Sequence, residues 1–204
     1  MKNARLLKHV LEAVSLIAVS FFLAACNPIE NETQSASLLV VESIMGTDVD
    51  GIDADFLQSD VVLTDSVTGA QSWRADTANV TLSASMLDPD PLFGTSQYND
   101  IQVTRYIVTY IRSDGKNIQG LDVPYSFEGG LSVLVRIGQL ANVRFVIVRE
   151  VAKQEAPLLS LYQAYQGDVL NVTARVDFYG HDLANKKVKA TGFLPVSFKN
   201  YADR

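Results

Sequence analysis

The residues in this 204-residue chain whose types and spacing could do chemistry are few. Five aspartates, Asp48, Asp50, Asp53, Asp55 and Asp60, crowd around Gly51, and hard carboxylate oxygens at that density are what Ca2+ takes. The spacing departs from an EF-hand loop, because the glycine comes too early and the bidentate glutamate is missing. Asp88 and Asp90 make a second acidic loop, and Asp177 with Asp182 brackets a third; aspartate also caps turns. Tyr106, Tyr110 and Tyr125 offer a stacking surface for a sugar or a protein partner, the first two on one face of a single strand. Tyrosines on strands otherwise pack against their neighbours.

Catalytic groupings are missing from the pattern. A serine hydrolase needs a histidine to take the proton from its nucleophile, and the chain holds only His9 and His181. His181 lies between Gly180 and Asp182 in a polar stretch that reads as an exposed hairpin loop. There is no HExxH, no GxSxG and no glycine-rich phosphate loop. Carboxylate pairs for glycoside hydrolysis are many, and sequence gives no separation between them. The expectation is a protein that is not an enzyme.

The elements that must position these residues are strands. From Leu38 onward the apolar period is close to two. Leu170, Val172, Ala174, Val176 and Phe178 share one face against Asn171, Thr173, Arg175 and Asp177, the signature of a half-buried antiparallel strand. Val188 to Phe198 repeats it, with Gly180 to Lys186 as the connecting loop and Pro195 marking an edge or a bulge. Further strands are expected at Ser37 to Ser43, Val61 to Thr64, Asn79 to Met86, Ile101 to Arg112, Leu131 to Ile137 and Val143 to Arg149. Phe145 to Val148 is apolar on both faces, which suits a central or covered strand. One short helix is expected near Val151 to Glu155, ended by Pro157. About eight short strands predict an all-β fold, an antiparallel β-sandwich of immunoglobulin-like topology, with a β-barrel as the alternative. The cysteine pair of antibody domains is absent, and Trp73 lies in a turn-rich stretch.

The first 26 residues read as an export signal. Lys2, Arg5 and Lys8 form a positive start, and Ala13 to Leu23 an uncharged apolar run too short to span a bilayer. Leu23-Ala24-Ala25-Cys26 resembles the lipobox of bacterial lipoproteins, which implies cleavage before Cys26 and diacylglycerol on its sulfur, with further acylation of the new amino group. Several acyl chains anchor stably where one binds only marginally. The domain expectation is therefore a signal peptide at 1–25, a lipid-anchored flexible tether at 26–37 and one β domain at 38–204. Asn27, where enteric lipoproteins kept at the inner membrane usually carry Asp, points to the outer membrane. The polar segment Asn27 to Ser37 spans about 18 Å as a flexible chain.

Without residues 1–25, 14 basic and 22 acidic residues remain, a net charge of −8. Such a surface repels phosphate backbones, so nucleic acid is not an expected partner. Apart from Cys26 no cysteine remains, so no disulfide framework or cysteine metal site is expected. Tyr106, Ser113-Asp114-Gly115-Lys116-Asn117, Asp122-Val123-Pro124-Tyr125 and Phe178-Tyr179-Gly180-His181-Asp182 resemble uncharacterised bacterial lipoproteins with immunoglobulin-like sandwich domains. That resemblance implies a fold and no activity. The functional expectation is a membrane-anchored structural or accessory component of the cell envelope, presenting a surface to an envelope protein partner. The second expectation is a carbohydrate-binding or adhesion module, Ca2+-assisted if the aspartates bind metal, with no other cofactor.

Overall fold

Period-two patterning dictates strands, and the strands dominate. A computed structural model describes residues 35–47, 51–88, 90, 94–163 and 168–201. In chain order the strands are β1 (Ser37–Thr47), β2 (Asp53–Ala54), β3 (Leu57–Asp60), β4 (Leu63–Thr64), β5 (Gln71–Ser72), β6 (Asp76–Met86), β7 (Ile101–Ile111), β8 (Phe127–Val135), β9 (Leu140–Val148), β10 (Leu170–Asp182) and β11 (Lys187–Lys199). Two short helices, α1 (Glu150–Lys153) and α2 (Leu158–Gln163), lie between β9 and β10. The all-β class expected from the pattern is what these residues form.

The strands make two larger ladders, β2-β1-β6-β9 and β3-β11-β10-β7-β8, with β4 and β5 paired apart. All pairings are antiparallel except β11 with β3, which run parallel from Val196 opposite Leu57 to Lys199 opposite Asp60. Pro195 sits one residue before that parallel pairing begins, so its missing N–H removes no bond to β3. The strand expected at Val61 to Thr64 is shorter, because Val61 and Val62 are a buried link and the main pairing is made by Leu57–Asp60. The β10 strand runs on through His181 to Asp182, so His181 lies in a strand and not in the expected loop. The turn is confined to the residues after it, with Asn185 in the left-handed region (φ 64). A second helix follows Pro157, where none was expected, and Leu158 buries fully against the core.

Both ladders contribute to one core. Val80, Leu82 and Ala84 of β6 share one buried cluster with Val172, Ala174, Val176 and Phe178 of β10 and with Leu194, Val196 and Phe198 of β11. At its centre the Tyr106 ring packs edge-on to Phe145 at 4.9 Å, and Phe145 is edge-on to Phe178 at 5.5 Å. Burying each such ring contributes about 2–3 kcal/mol. Phe145, Ile147 and Val148 are all buried although β9 pairs only with β6, so the strand is covered by packing and is not central. Tyr106 stands opposite Gly129 in the register, and a Cβ on Gly129 would lie 2.3 Å from the ring. The glycine makes room for the tyrosine.

Candidate functional site

Register places the two ends of the domain. Ile101 pairs with Asp182 at one end of the β7–β10 ladder and Ile111 with Thr173 at the other. The chain comes in at the first end, where the Ser35 hydroxyl donates to Asp182 at 2.6 Å and the Ser37 hydroxyl to the Asn99 carbonyl at 2.7 Å. The segment joining β7 to β8 therefore lies at the far end.

That segment is built by its turn residues. The Arg112 backbone N–H donates to the Asn117 side chain at 2.7 Å, the Ile118 N–H to Asp122 at 3.1 Å, and the Ser126 N–H to Gln119 at 3.1 Å. The Arg112 guanidinium is clamped by Asp114, whose carboxyl is held below its usual range by that hydrogen bond first and by the Lys116 N–H next. Gly120 takes φ +77, and a Cβ there would collide with the Tyr125 hydroxyl at 2.2 Å. Held this way, Ile118, Leu121 and Tyr125 stand 63%, 66% and 49% exposed. It is a fixed apolar tip on a polar loop.

The second candidate is a groove of about 310 Å3 on the outer face of the four-stranded sheet, lined by Met45, Asp53, Asn79, Asn142, Val143 and Arg144 among others. Its polar groups hold one another across strands. Asp53 accepts from the Thr47 hydroxyl at 2.7 Å and from the Asn79 amide at 2.6 Å, and Arg144 donates to Asn79 at 3.2 Å. The Asp53 carboxyl is accordingly lowered, by Thr47 first, then Asn79, with the Arg144 charge adding. One carboxylate and one guanidinium leave the groove neutral. Fixed donors and acceptors beside the apolar Met45 and Val143 suit a neutral polyol.

The residues singled out by sequence fare differently. Cys26, Asp48 and Asp50 lie outside the described residues. Asp53 is in the groove, with both oxygens engaged, and Asp55 is exposed. Among the described residues no group of three or more His, Cys, Asp or Glu side chains is arranged to hold a metal ion. Tyr106 and Tyr110 are buried at 4% and 2% exposure, so a shared stacking face with Tyr125 does not form. Their rings point inward because that face of β7 meets Phe145 and Phe198. The Tyr110 hydroxyl donates to the Ile147 carbonyl at 2.7 Å, and burial, then the Asp76 charge, raises its pKa strongly.

One polar cluster escaped sequence reasoning. Lys153 of α1, 2% exposed, donates to the Asp60 carbonyl at 2.6 Å and to Asp76 at 2.9 Å, while the Ser59 hydroxyl donates to the other Asp76 oxygen at 2.6 Å. These groups satisfy one another and tie α1 to β3 and β6. A lysine in a four-residue helix gives no sequence signal of burial. No protein-family model, no curated protein and no solved structure matches the chain.

Proposed function

We propose that this chain is a lipid-anchored, non-enzymatic component of a bacterial cell envelope, with residues 1–25 as signal peptide, acyl chains on Cys26 and outer-membrane placement. Its all-β domain presents a surface to an envelope protein partner. The observation that carries the presentation is the rigid apolar tip of Ile118, Leu121 and Tyr125 at the end away from Ser35. Exposed aromatic and aliphatic side chains on a loop whose backbone is braced by its own hydrogen bonds lose less entropy on binding than those on an unbraced loop. We propose further that the domain is an immunoglobulin-like sandwich. The order β1-β6-β9 against β11-β10-β7-β8 supports this, as it matches strands A-B-E facing G-F-C-C′, with β2 to β5 inserted after the first strand.

Metabolic labelling with an alkyne fatty acid tests the anchor. Label is expected on the wild-type chain and lost in Cys26→Ser; label that persists in the variant, or never appears, overturns it. For the partner, crosslinking through the exposed Lys116 amine in native membranes is expected to capture one protein that Leu121→Asp together with Ile118→Asp no longer captures. Capture that survives both substitutions overturns the role of the tip.

The groove favours a second reading, a module binding a neutral carbohydrate. Calorimetry with neutral oligosaccharides is expected to show binding that Asn79→Ala abolishes, since this removes the amide fixing Asp53. The absence of heat with every oligosaccharide tried removes the reading.

A further inference from the structure

The two outer sheet faces carry different charge. Register puts Lys187, Lys189, Thr191 and Phe193 of β11 beside His181, Tyr179, Asp177 and Arg175 of β10, and these beside Gln102, Arg105, Ile107 and Thr109 of β7. Glu128 of β8 stands opposite Ile107 on the same face. Five cations, Arg105, Arg175, Lys187, Lys189 and Lys199, thus share a surface with three carboxylates, Asp60, Asp177 and Glu128, on a chain whose net charge is −6. The cations are fixed in place. The Arg105 guanidinium pairs with Glu128 at 3.2 Å and lies 4.2 Å from the centre of the Tyr179 ring, and the Lys189 ammonium lies 5.2 Å from it. Arg175 and Lys189 both pair with Asp177, at 3.2 and 3.3 Å. Phe193 stands 59% exposed among them.

The charges form a line across the sheet. Lys189 and Arg175 share the Asp177 carboxylate, Lys189 and Arg105 share the Tyr179 ring, and Lys187 stands beyond them beside His181. With Asp177 and the Tyr179 ring standing between the cations, no vacant pocket is left for one small anion, and the line suits a surface of many anions. The acidic groups of the groove, Asp53 among them, lie on the outer face of the other sheet, on the far side of the core from whatever this face meets.

We propose that the outer face of the β11-β10-β7-β8 ladder docks on an anionic lipid surface, with lipid phosphates against Arg105, Arg175, Lys187 and Lys189 and the Phe193 ring in the interfacial layer. This deepens the lipid-anchored reading and rests on it, since a tether of about 18 Å keeps the face within reach of the headgroups. Docked so, the groove of Asp53 and Asn79 faces away from lipid. Each cation near an anionic surface contributes about 1 kcal/mol, or about fivefold in partition.

The test can be separated from the anchor. Residues 35–201 hold every described strand and the whole core, so a chain begun at residue 26 with Cys26→Ser carries the complete domain without lipid or signal. Flotation with phosphatidylcholine vesicles, with and without phosphatidylglycerol, is expected to show partition only into the anionic vesicles and its loss at high salt. The combined variant Arg105→Gln, Arg175→Gln, Lys187→Gln keeps Lys189 on Asp177 and is expected to partition at least about tenfold less. Arg74→Gln, an exposed cation in the link between β5 and β6, is expected to behave as wild type. Equal partition into both vesicles, or a triple variant that floats as well as wild type while its circular dichroism is unchanged, overturns the proposal. Binding to polyglutamate without binding to vesicles assigns the face to an acidic protein and overturns it too. A failed fatty-acid label with intact flotation removes the anchor alone.

Discussion

Asp76 and Asp177 are each held by a lysine and a hydroxyl, and their surroundings drive them in opposite directions. Asp76 accepts from Lys153 and Ser59 in the interior, and burial raises its pKa against the pull of both partners. Asp177 accepts from Thr191 at 2.6 Å and pairs with Lys189 and Arg175 on an outer face. Its partial burial also pushes upward, but Thr191, Lys189 and Arg175 together bring it below the usual range. The difference is depth in the fold and the number of cations, since the two carboxylate side chains are alike in solvent contact, 15% and 12% exposed. Beside α1, one cation does not offset lost hydration; on the sheet face, two cations and a hydroxyl do. The interior cluster therefore fixes α1 against the sheets, while the outer one ties β10 to β11.

The largest expected effect comes from breaking the inner pair. Lys153→Met leaves Asp76 without its cation and the Asp60 carbonyl without that donor, and costs about 3–5 kcal/mol by denaturant unfolding. Adding Asp76→Leu to it is expected to recover part of that loss, because two apolar groups avoid the desolvation that one orphaned charge suffers. If the double variant is as unstable as the sum of the singles, Asp76 was never the strained partner.

An intermediate effect distinguishes the clusters by sign. Asp76, raised in the fold, contributes fully below the unfolded pKa of about 3.9, and its contribution is lost as pH rises through the folded value. Asp177, lowered in the fold, contributes above about 3.9 and loses its contribution as pH falls through the folded value. The stability of Asp76→Asn relative to wild type should therefore rise with pH and that of Asp177→Asn should fall, the latter ending about 1 kcal/mol below wild type at neutral pH. Slopes of the same sign would collapse the comparison.

The same contrast explains what the sequence could reveal. The alternation from Val80 to Ala84 and from Leu170 to Phe178 is local, and both strands follow it. The direction in which Tyr106 and Tyr110 point was not legible, because the register shifts between Val103 and Arg105. Ile101 and Val103 then face the core together with Tyr106, Val108 and Tyr110, although their spacing puts them on opposite sides of an unbroken strand. Nor was β3 legible: its pairing with β11 joins residues about 140 positions apart, and no short-range pattern marks a parallel edge. Lys153 hides for the same reason, since its partners Asp60 and Asp76 lie far back in the chain. Of the groove, only Asp53 stood out, as one acid among five. Its contribution there depends on Thr47 and Asn79, which carry no motif.

The smallest expected effect is the most discriminating. Arg175 is 41% exposed, and when it is replaced by Gln, Asp177 keeps Lys189 and the Thr191 hydroxyl. An exposed cation that leaves two donors behind contributes little, so Arg175→Gln is expected to stay within about 0.5 kcal/mol of wild type in denaturant unfolding. Lys153→Met and Arg175→Gln each take one cation from one aspartate, yet their expected costs differ several-fold. A loss above about 2 kcal/mol for Arg175→Gln would mean that the outer cluster is as dependent on single partners as the inner one. The outer cations would then be held for the fold and not free for an anionic surface.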